Sequence, residues 1–232
     1  AAWWVLMTVP MLKTYRQKNY VERKPHAFRE SFARIGKTFL NVRREKKIFL
    51  FLLAFFFYID GVYTIIDMAT AYGSALGLDS TGLLLALLVT QIVAFPCAIL
   101  FGRLARRFRT EHLITVCVVA YVGIALFACV LRTQTQFWIL AIFVGMFQGG
   151  IQALSRSYYA KIIPAEQSGE YFGLLDICGK GASFIGTAIV SVVSQLTGDI
   201  NKGVAMIVVL FVVGVVLFRI AVTCVQKNKI ES

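Results

Sequence analysis

The chain has 232 residues, of which 58% are hydrophobic and only 16% are charged, and its net charge is +12. A water-soluble domain is nearer half apolar and a quarter charged, so a single soluble core does not account for this composition. The positive charge is confined to short segments between long apolar runs, which argues against nucleic-acid binding and favours residence in a lipid bilayer.

The first segment, residues 1–12, begins inside an apolar stretch and lacks the basic start and small-residue cleavage site of a signal peptide. We interpret it as the end of a transmembrane helix. Residues 13–47 then form a linker that contains twelve Lys and Arg residues. Apolar residues in the linker recur at spacings of three and four and predict a basic amphipathic helix on the inner membrane surface. These residues are Phe28, Phe32, Ile35, Phe39 and Val42.

Six complete apolar segments follow, each close to the ~20 residues that a membrane helix needs. They predict six transmembrane helices, called here the first to the sixth span. Their approximate bounds are Ile48–Ala71, Gly82–Phe101, Leu113–Leu131, Phe137–Leu154, Tyr171–Gln195 and Gly203–Val225. Lipid cannot satisfy open strand edges, so the expected fold is an all-α bundle over residues 48–225, followed by a tail at 226–232.

The distribution of basic residues predicts the orientation of the bundle. If the spans alternate in direction, twenty-one of the twenty-four Lys and Arg residues lie on one side. The other side holds only Arg132 and Lys202, and Lys180 lies within the fifth span. By the positive-inside rule, the linker and the C-terminus are therefore expected in the cytoplasm.

Polar residues inside spans are costly, so their positions are informative. The third and sixth spans are bare, and we expect them to face lipid. In the first span, Asp60 and Asp67 are seven residues apart and share a helix face, which makes them candidates for coupling or substrate binding. Tyr58 and Tyr63 accompany them as packing or substrate-stacking groups.

The other polar spans add candidates at similar depths. The fourth span places Gln148, Gln152 and Arg156 on one stripe, and the second contributes Gln91. In the fifth, the four-residue spacing of Asp176 and Lys180 permits an intrahelical ion pair. The pattern predicts a water-accessible cavity lined by the first, second, fourth and fifth spans. A helix–helix hydrogen bond for Gln91 and a purely structural ion pair remain open alternatives.

Glycine in the fourth span indicates close packing or motion. Gly145 and Gly149 form a small-xxx-small pair, and Gly149 and Gly150 could let the helix flex near mid-membrane. The five cysteines form no Cys-x-x-Cys pair, and both histidines flank apolar runs, so no metal site or other cofactor is expected. No constellation for an intramembrane enzyme is evident either.

The loop after the second span resembles a motif of the major facilitator superfamily. Residues 102–107 read Gly-Arg-Leu-Ala-Arg-Arg and resemble the family's Gly-x-Leu-Ala-Asp-Arg loop, in which Gly102 and Arg107 match. Arg106 stands where the family has an acidic residue, so the ion-pair role of that acid is not carried over. Arg156 and the segments 163–166 and 169–173 resemble the family's next cytoplasmic loop.

Three longer strings resemble one branch of that superfamily, the autophagy-type vacuole effluxers, also called the unknown major facilitator family. They are residues 57–66, 145–157 and 174–181. The resemblance implies a 12-helix transporter, of which this chain covers the end of helix 6 and helices 7 to 12. Fungal members are associated with amino-acid efflux from the vacuole, whereas bacterial-type members have no settled substrate.

These features together predict a secondary transporter that moves a small solute by alternating access. No Gly-x4-Gly-Lys-Ser/Thr loop is present for ATP. We expect Asp60 to couple protons, Lys180 to hold a substrate carboxylate with Asp176 orienting it, and Gln148 and Gln152 to hydrogen-bond the substrate. The expected partners are the lipid bilayer, the solute and an N-terminal six-helix half. The alternative is a non-transporting membrane protein, either a sensor or an assembly scaffold.

Overall fold

The computed structural model describes residues 2–14, 36 and 38–230 of the chain. Within these residues it contains six helices that are long and apolar enough to cross a membrane, and each corresponds to one predicted span. The helices are Lys46–Ala75, Ser80–Leu104, Thr110–Cys129, Gln134–Ile162, Ser168–Thr197 and Ile200–Ile230. The names first to sixth span are kept for them. The expectation of an all-α, six-helix membrane bundle is therefore confirmed.

Most helices extend beyond the apolar segments that predicted them, because polar caps rather than the limits of hydropathy end them. The Asp79 carboxylate accepts a hydrogen bond from the Gly82 amide at 2.7 Å and begins the second span. Thr133 and Gln136 form a reciprocal capping box at the start of the fourth. Gly198, with φ of +66°, ends the fifth span in the left-handed conformation and lets the chain turn into the sixth.

The first span lies at the centre of the helix packing. It packs most extensively against the sixth and fifth spans, while the second span packs against the fourth and the third against the fourth and sixth. Small residues bring the first and sixth spans close, since Gly214 lies against the backbone of Tyr58 and Gly61 lies under the ring of Phe211. This position allows side chains of the first span to meet three neighbouring helices.

An aromatic cluster fills the basic end of the bundle, where the predicted cytoplasmic segments lie. The Phe51 ring centroid is 5.2 Å from that of Tyr158 and 5.5 Å from that of Tyr159. Phe218 closes the cluster 5.8 Å from Tyr158 and 6.4 Å from Tyr58. Rings buried in this way combine large apolar contact with favourable tilted and edge-on geometry.

The burial of the spans differs from what polarity alone suggests. In the most apolar stretch of each helix, 44% of the residues of the third span and 39% of those of the sixth are buried, although both spans are bare of polar groups. The corresponding shares for the polar second and fifth spans are only 17% and 22%. The third and sixth do present apolar outer faces, but their inner faces complete the bundle core. The largest uncovered surfaces belong to the second and fifth spans.

The N-terminal segment forms its own helix, Ala2–Thr14, which extends slightly past the predicted end at residue 12 and contains Pro10. At the other terminus, the helix of the sixth span continues to Ile230, so the described part of the predicted tail at 226–232 is helical, and its place in the cytoplasm stays a prediction. The helix has no breaker after Val225 and simply propagates out of the apolar region.

Much of the predicted amphipathic helix of the linker, including Phe28, Phe32 and Ile35, lies outside the described residues. Residues 38–44 are helical. Their buried face carries Thr38 and Val42, while Phe39 is 49% exposed, so Phe39 and Val42 do not share a buried face. The cause is a hydrogen bond of 2.6 Å from the Thr38 hydroxyl to Glu170, which turns residues 38 and 42 inward.

Candidate functional site

The first span presents its polar residues to the fifth span. The Asp60 carboxylate accepts a hydrogen bond of 2.8 Å from the Gly186 amide, and the Asp67 carboxylate accepts one of 2.7 Å from the Ser183 hydroxyl. Because both acceptors reach the same neighbouring helix, the predicted common face of the two aspartates is confirmed. The two aspartates are about 10 Å apart along the first span, whereas Ser183 and Gly186 are about 4.5 Å apart along the fifth.

Asp60 is fully enclosed. Its side chain has no exposed surface, and Thr64 donates a second, longer hydrogen bond of 3.4 Å to the same Oδ1 atom. Its other oxygen, Oδ2, is buried and has no hydrogen-bond partner among the described residues. An ionised carboxylate in this position leaves one charged oxygen unsatisfied in a dry interior, which is costly. Asp67 differs, because it is exposed at the bundle surface.

Arg156 on the fourth span forms an ion pair with the fifth span. Its Nη2 lies 2.7 Å from the Oδ1 of Asp176, and the two side chains are 54% and 48% exposed. The intrahelical pair predicted between Asp176 and Lys180 is therefore wrong. The guanidinium of the neighbouring helix reaches the carboxylate, and Lys180 is left exposed with no ion-pair partner among the described residues.

The two candidate tyrosines have different surroundings. Tyr58 is buried in the aromatic cluster and its hydroxyl lies 2.7 Å from the Ser155 hydroxyl of the fourth span, so it packs the helix interface. Tyr63 is half-buried, and a Cβ placed at Gly179 of the fifth span would lie 3.9 Å from its ring. Only Tyr63 lies along the polar contact line between the first and fifth spans.

The three candidate glutamines do not lie together at one site. Gln148 and Gln152 are partly buried on the fourth span, and the Gln148 Oε1 atom is buried without a hydrogen-bond partner in the described part of the chain. Gln91 borders a separate cavity of about 60 Å³ in the end of the bundle opposite the basic one. That cavity is lined almost wholly by apolar side chains, with Thr64, Tyr72 and Thr90 as its other polar residues. The predicted single polar cavity thus divides into a polar face and an apolar cavity, which meet at Thr64.

The glycines of the fourth span serve close packing in this conformation. A Cβ at Gly145 would lie 2.6 Å from the Thr90 carbonyl oxygen, and one at Gly149 would lie 3.1 Å from that of Ala94. Gly150 lies against the ring of Phe101. The helix runs without interruption from Gln134 to Ile162, so the proposed flexing at Gly149 and Gly150 stays a prediction.

The loop residues of the resemblance lie at the basic end. Gly102, Arg106 and Arg107 are all exposed where the second span ends, and no ion pair involves either arginine within the described part of the chain. The end of the fourth span is held by a different contact, a hydrogen bond of 3.0 Å from Lys161 to the Thr110 hydroxyl. This contact fixes the fourth span to the third.

Three residues that complete the site were not predicted to contact its carboxylates, namely Thr64, Ser183 and Gly186, although Gly186 is one of the glycines that make the fifth span suitable for close packing or motion. Thr64 follows Asp60 by four residues, and Ser183 and Gly186 follow Lys180 at intervals of three. This helical spacing of small and hydroxyl residues was the available signal. In the described residues no group of three or more His, Cys, Asp or Glu side chains could hold a metal ion, and all five cysteines are unpaired.

Comparison with known proteins adds a family to this geometry. Residues 1–231 match the family described as vacuole effluxer Atg22 like. The chain is 48% identical over 217 residues to the uncharacterized MFS-type transporter YxiO of Bacillus subtilis, a match that covers 94% of this chain and 51% of that protein. It is 29% identical to autophagy-related protein 22 of Cryptococcus neoformans, with 99% of this chain and 44% of the relative covered. The chain therefore spans about half the length of the curated relatives it matches.

Proposed function

The chain belongs to the vacuole effluxer Atg22-like family, and from this membership we propose that it is the C-terminal half of a secondary active transporter. The transporter moves a small solute, an amino acid, by alternating access and draws on a proton gradient. An N-terminal six-helix half completes it, and the substrate site lies between the two halves. The basic end of the bundle faces the cytoplasm, in the cell membrane of a bacterium or the vacuolar membrane of a fungus.

The observation that carries this proposal is the half-exposed ion pair between Arg156 and Asp176. Arg156 lies six residues before the end of the fourth span and Asp176 eight residues after the start of the fifth, so the pair lies toward the basic end of the bundle. A charge pair with half its surface open needs polar surroundings rather than lipid. A water-filled cavity between two halves of a transporter provides the polar surroundings that such a pair needs. Lys180, exposed one helical turn further along, extends the same polar face.

The charges on this face suit an amino acid as the substrate. Lys180 has no ion-pair partner within the described residues and is available to a carboxylate. Asp67 is exposed and uses one oxygen for Ser183, which leaves the other available to an ammonium group. Opposite charges on one surface are what a zwitterion requires.

Asp60 is the coupling residue in this proposal. It lies on the same helix face as Asp67 but is enclosed between the first and fifth spans, away from the substrate-accessible charges. A carboxyl group in such a place can carry a proton while the polar face carries the solute. Binding of a proton at Asp60 and of the solute on the polar face then drives the exchange between the inward-facing and outward-facing conformations.

The test is transport by the full-length protein in proteoliposomes under an imposed pH gradient, with a panel of radiolabelled neutral, acidic and basic amino acids. We expect uptake of at least one class to respond to the gradient and Asp60→Asn to abolish that response. Asp79→Asn is the matched control, because Asp79 only caps a helix at the membrane surface. An undiminished gradient response in Asp60→Asn would refute the coupling role.

Solvent accessibility of the polar face distinguishes a transporter from the non-transporting alternative. Single cysteines at positions 67, 156 and 180, on a background without the five native cysteines, are expected to react with water-soluble thiol reagents in the full-length protein. A cysteine at position 182, where Ala182 of the fifth span is fully buried, is expected to be protected. Protection at all four positions under every condition would leave a sensor or scaffold as the better explanation.

A further inference from the structure

The contact between Asp60 and Gly186 is unusually close for two transmembrane helices. A peptide N–H in the middle of a helix points along the helix axis, toward its own preceding turn. For the Gly186 N–H to reach the Asp60 Oδ1 at 2.8 Å, the carboxylate must come directly against the backbone of the fifth span. At this level a side chain of the first span is therefore in direct contact with the backbone of the fifth.

Only glycine fits at position 186 in this arrangement. A Cβ there would overlap both the Thr64 Oγ1 and the Asp60 Oδ1 atoms. Thr64 in turn is buried and directs its hydroxyl to the same carboxyl oxygen. The joint thus consists of three groups, the Asp60 carboxyl, the Thr64 hydroxyl and the Gly186 amide, and all three residues are buried.

We propose that Gly186 and Thr64 are positioning residues for Asp60, and that a proton reaches or leaves Asp60 only when the first and fifth spans separate at this joint. This inference rests on the proposed proton coupling and specifies how it is controlled. In the closed joint Oδ1 is held by two donors and Oδ2 is sealed off. When the joint is open, water reaches Oδ2, and the carboxyl group releases its proton to the solvent or takes one up from it.

Among the residues that the structure describes, no other charged side chain is placed to substitute for these groups. On the first span the nearest titratable groups toward the outer side are Tyr63 and Asp67, and Asp67 lies about 10 Å along the axis. On the fifth span Lys180 lies about 9 Å from Gly186 and Asp176 lies further away. On the fourth span Arg156 is paired with Asp176, and on the sixth Arg219 lies beyond the contacts at Phe211 and Gly214.

The experiment measures the accessibility of Asp60 without measuring transport. Purified full-length protein is treated with dicyclohexylcarbodiimide, a membrane-permeant reagent for protonated carboxyl groups, and the modified Asp60 peptide is quantified by mass spectrometry over time and pH. The variants are Gly186→Ala, Thr64→Val and Thr64→Ser. Gly181→Ala is the matched control, since it lies on the same helix with open space around its Cβ. Elution as a monodisperse species in detergent establishes that each variant is folded.

We expect Gly186→Ala to raise the labelling rate of Asp60 on the order of tenfold, since the added Cβ forces the joint apart. Thr64→Val raises it by about two- to threefold, while Thr64→Ser and Gly181→Ala match the unsubstituted protein. The pH midpoint of labelling moves in Gly186→Ala by about half a unit or more. Fast labelling of the unsubstituted protein, or equal rates in Gly186→Ala and Gly181→Ala, would overturn the proposal.

The labelling result is separable from the proposed function. If Asp60→Asn leaves the gradient response intact while the labelling pattern appears as expected, proton coupling by Asp60 is wrong and the proposal falls with it, leaving a closed joint without a transport role. If the gradient response is lost in Asp60→Asn but labelling is insensitive to position 186, coupling stands and control by this joint is wrong.

Discussion

Arg156 on the fourth span and Asp176 on the fifth are joined by a hydrogen-bonded ion pair of 2.7 Å that remains about half exposed. The pair is the only direct side-chain connection between charged groups of two spans in the described part of the chain. Its openness distinguishes it from the enclosed contact of Asp60. The fifth span therefore carries an exposed polar contact to the fourth span and an enclosed one to the first.

Exchanging the two charges tests whether the pair acts as a unit. Arg156→Asp and Asp176→Arg singly are expected to reduce uptake on the order of tenfold, because each places two like charges in contact. The double variant, which restores a pair of opposite charges, recovers a substantial part of the rate. Uptake in proteoliposomes is measured alongside surface expression. A double variant no better than the worse single variant would contradict a paired role.

Tyr58 and Tyr63 are expected to respond oppositely to loss of their hydroxyl groups. Tyr58→Phe removes a buried hydrogen bond to Ser155 and is expected to lower stability by about 1 kcal/mol, with little change in uptake. Tyr63→Phe lies on the polar contact line and is expected to alter uptake with little change in stability. Thermal unfolding in detergent and uptake are measured for both. A larger loss of stability in Tyr63→Phe would contradict this assignment.

The fold was predictable from the sequence because bilayer thickness imposes length and composition on each helix. All six spans were located, most ends within four residues, although the fourth helix runs eight residues past its predicted end. The common face of Asp60 and Asp67 followed from helical periodicity in the same way. Helix ends set by caps, such as the one at Thr133, lay outside what hydropathy measures.

The partners of the polar residues could not be read from the sequence. The four-residue spacing of Asp176 and Lys180 indicated a local ion pair, but the acceptor was taken by Arg156 from another helix. The Asp60 partner is a backbone amide at Gly186, which carries no sequence signature of its own. Such contacts depend on how two helices are rotated against each other, and that rotation is a property of the whole bundle.

Close packing of the second and fourth spans is expected to depend on Gly145. A Cβ there would meet the Thr90 backbone carbonyl, which cannot move without shifting the helix, so Gly145→Ala is expected to destabilise the protein by about 1–3 kcal/mol. Gly123→Ala, on the third span, has open space around its Cβ and serves as the control. Thermal unfolding of both variants in the same detergent is the measurement. Equal stability would contradict the packing role.

The hydrogen bond between Thr38 and Glu170 is expected to hold the helical residues 38–44 of the linker against the start of the fifth span. Thr38 is almost fully buried, and its hydroxyl donates to a carboxylate at 2.6 Å, the stronger type of hydrogen bond. Thr38→Val removes the donor, whereas Thr38→Ser keeps it and Glu170→Gln keeps a weaker, neutral acceptor.

The rate of amide hydrogen exchange in the full-length protein measures how firmly this contact holds residues 38–44. Amides of residues 38–44 are expected to exchange on the order of tenfold faster in Thr38→Val, less so in Glu170→Gln, and unchanged in Thr38→Ser. Glu166→Gln, an exposed substitution in the short 3-10 helix Ala165–Gln167, controls for loss of charge. Faster exchange in Glu166→Gln to the same degree would show that local charge, rather than the hydrogen bond, holds the segment. Because residues 38–44 lead directly into the first span, release of this contact also frees the end of the helix that carries Asp60.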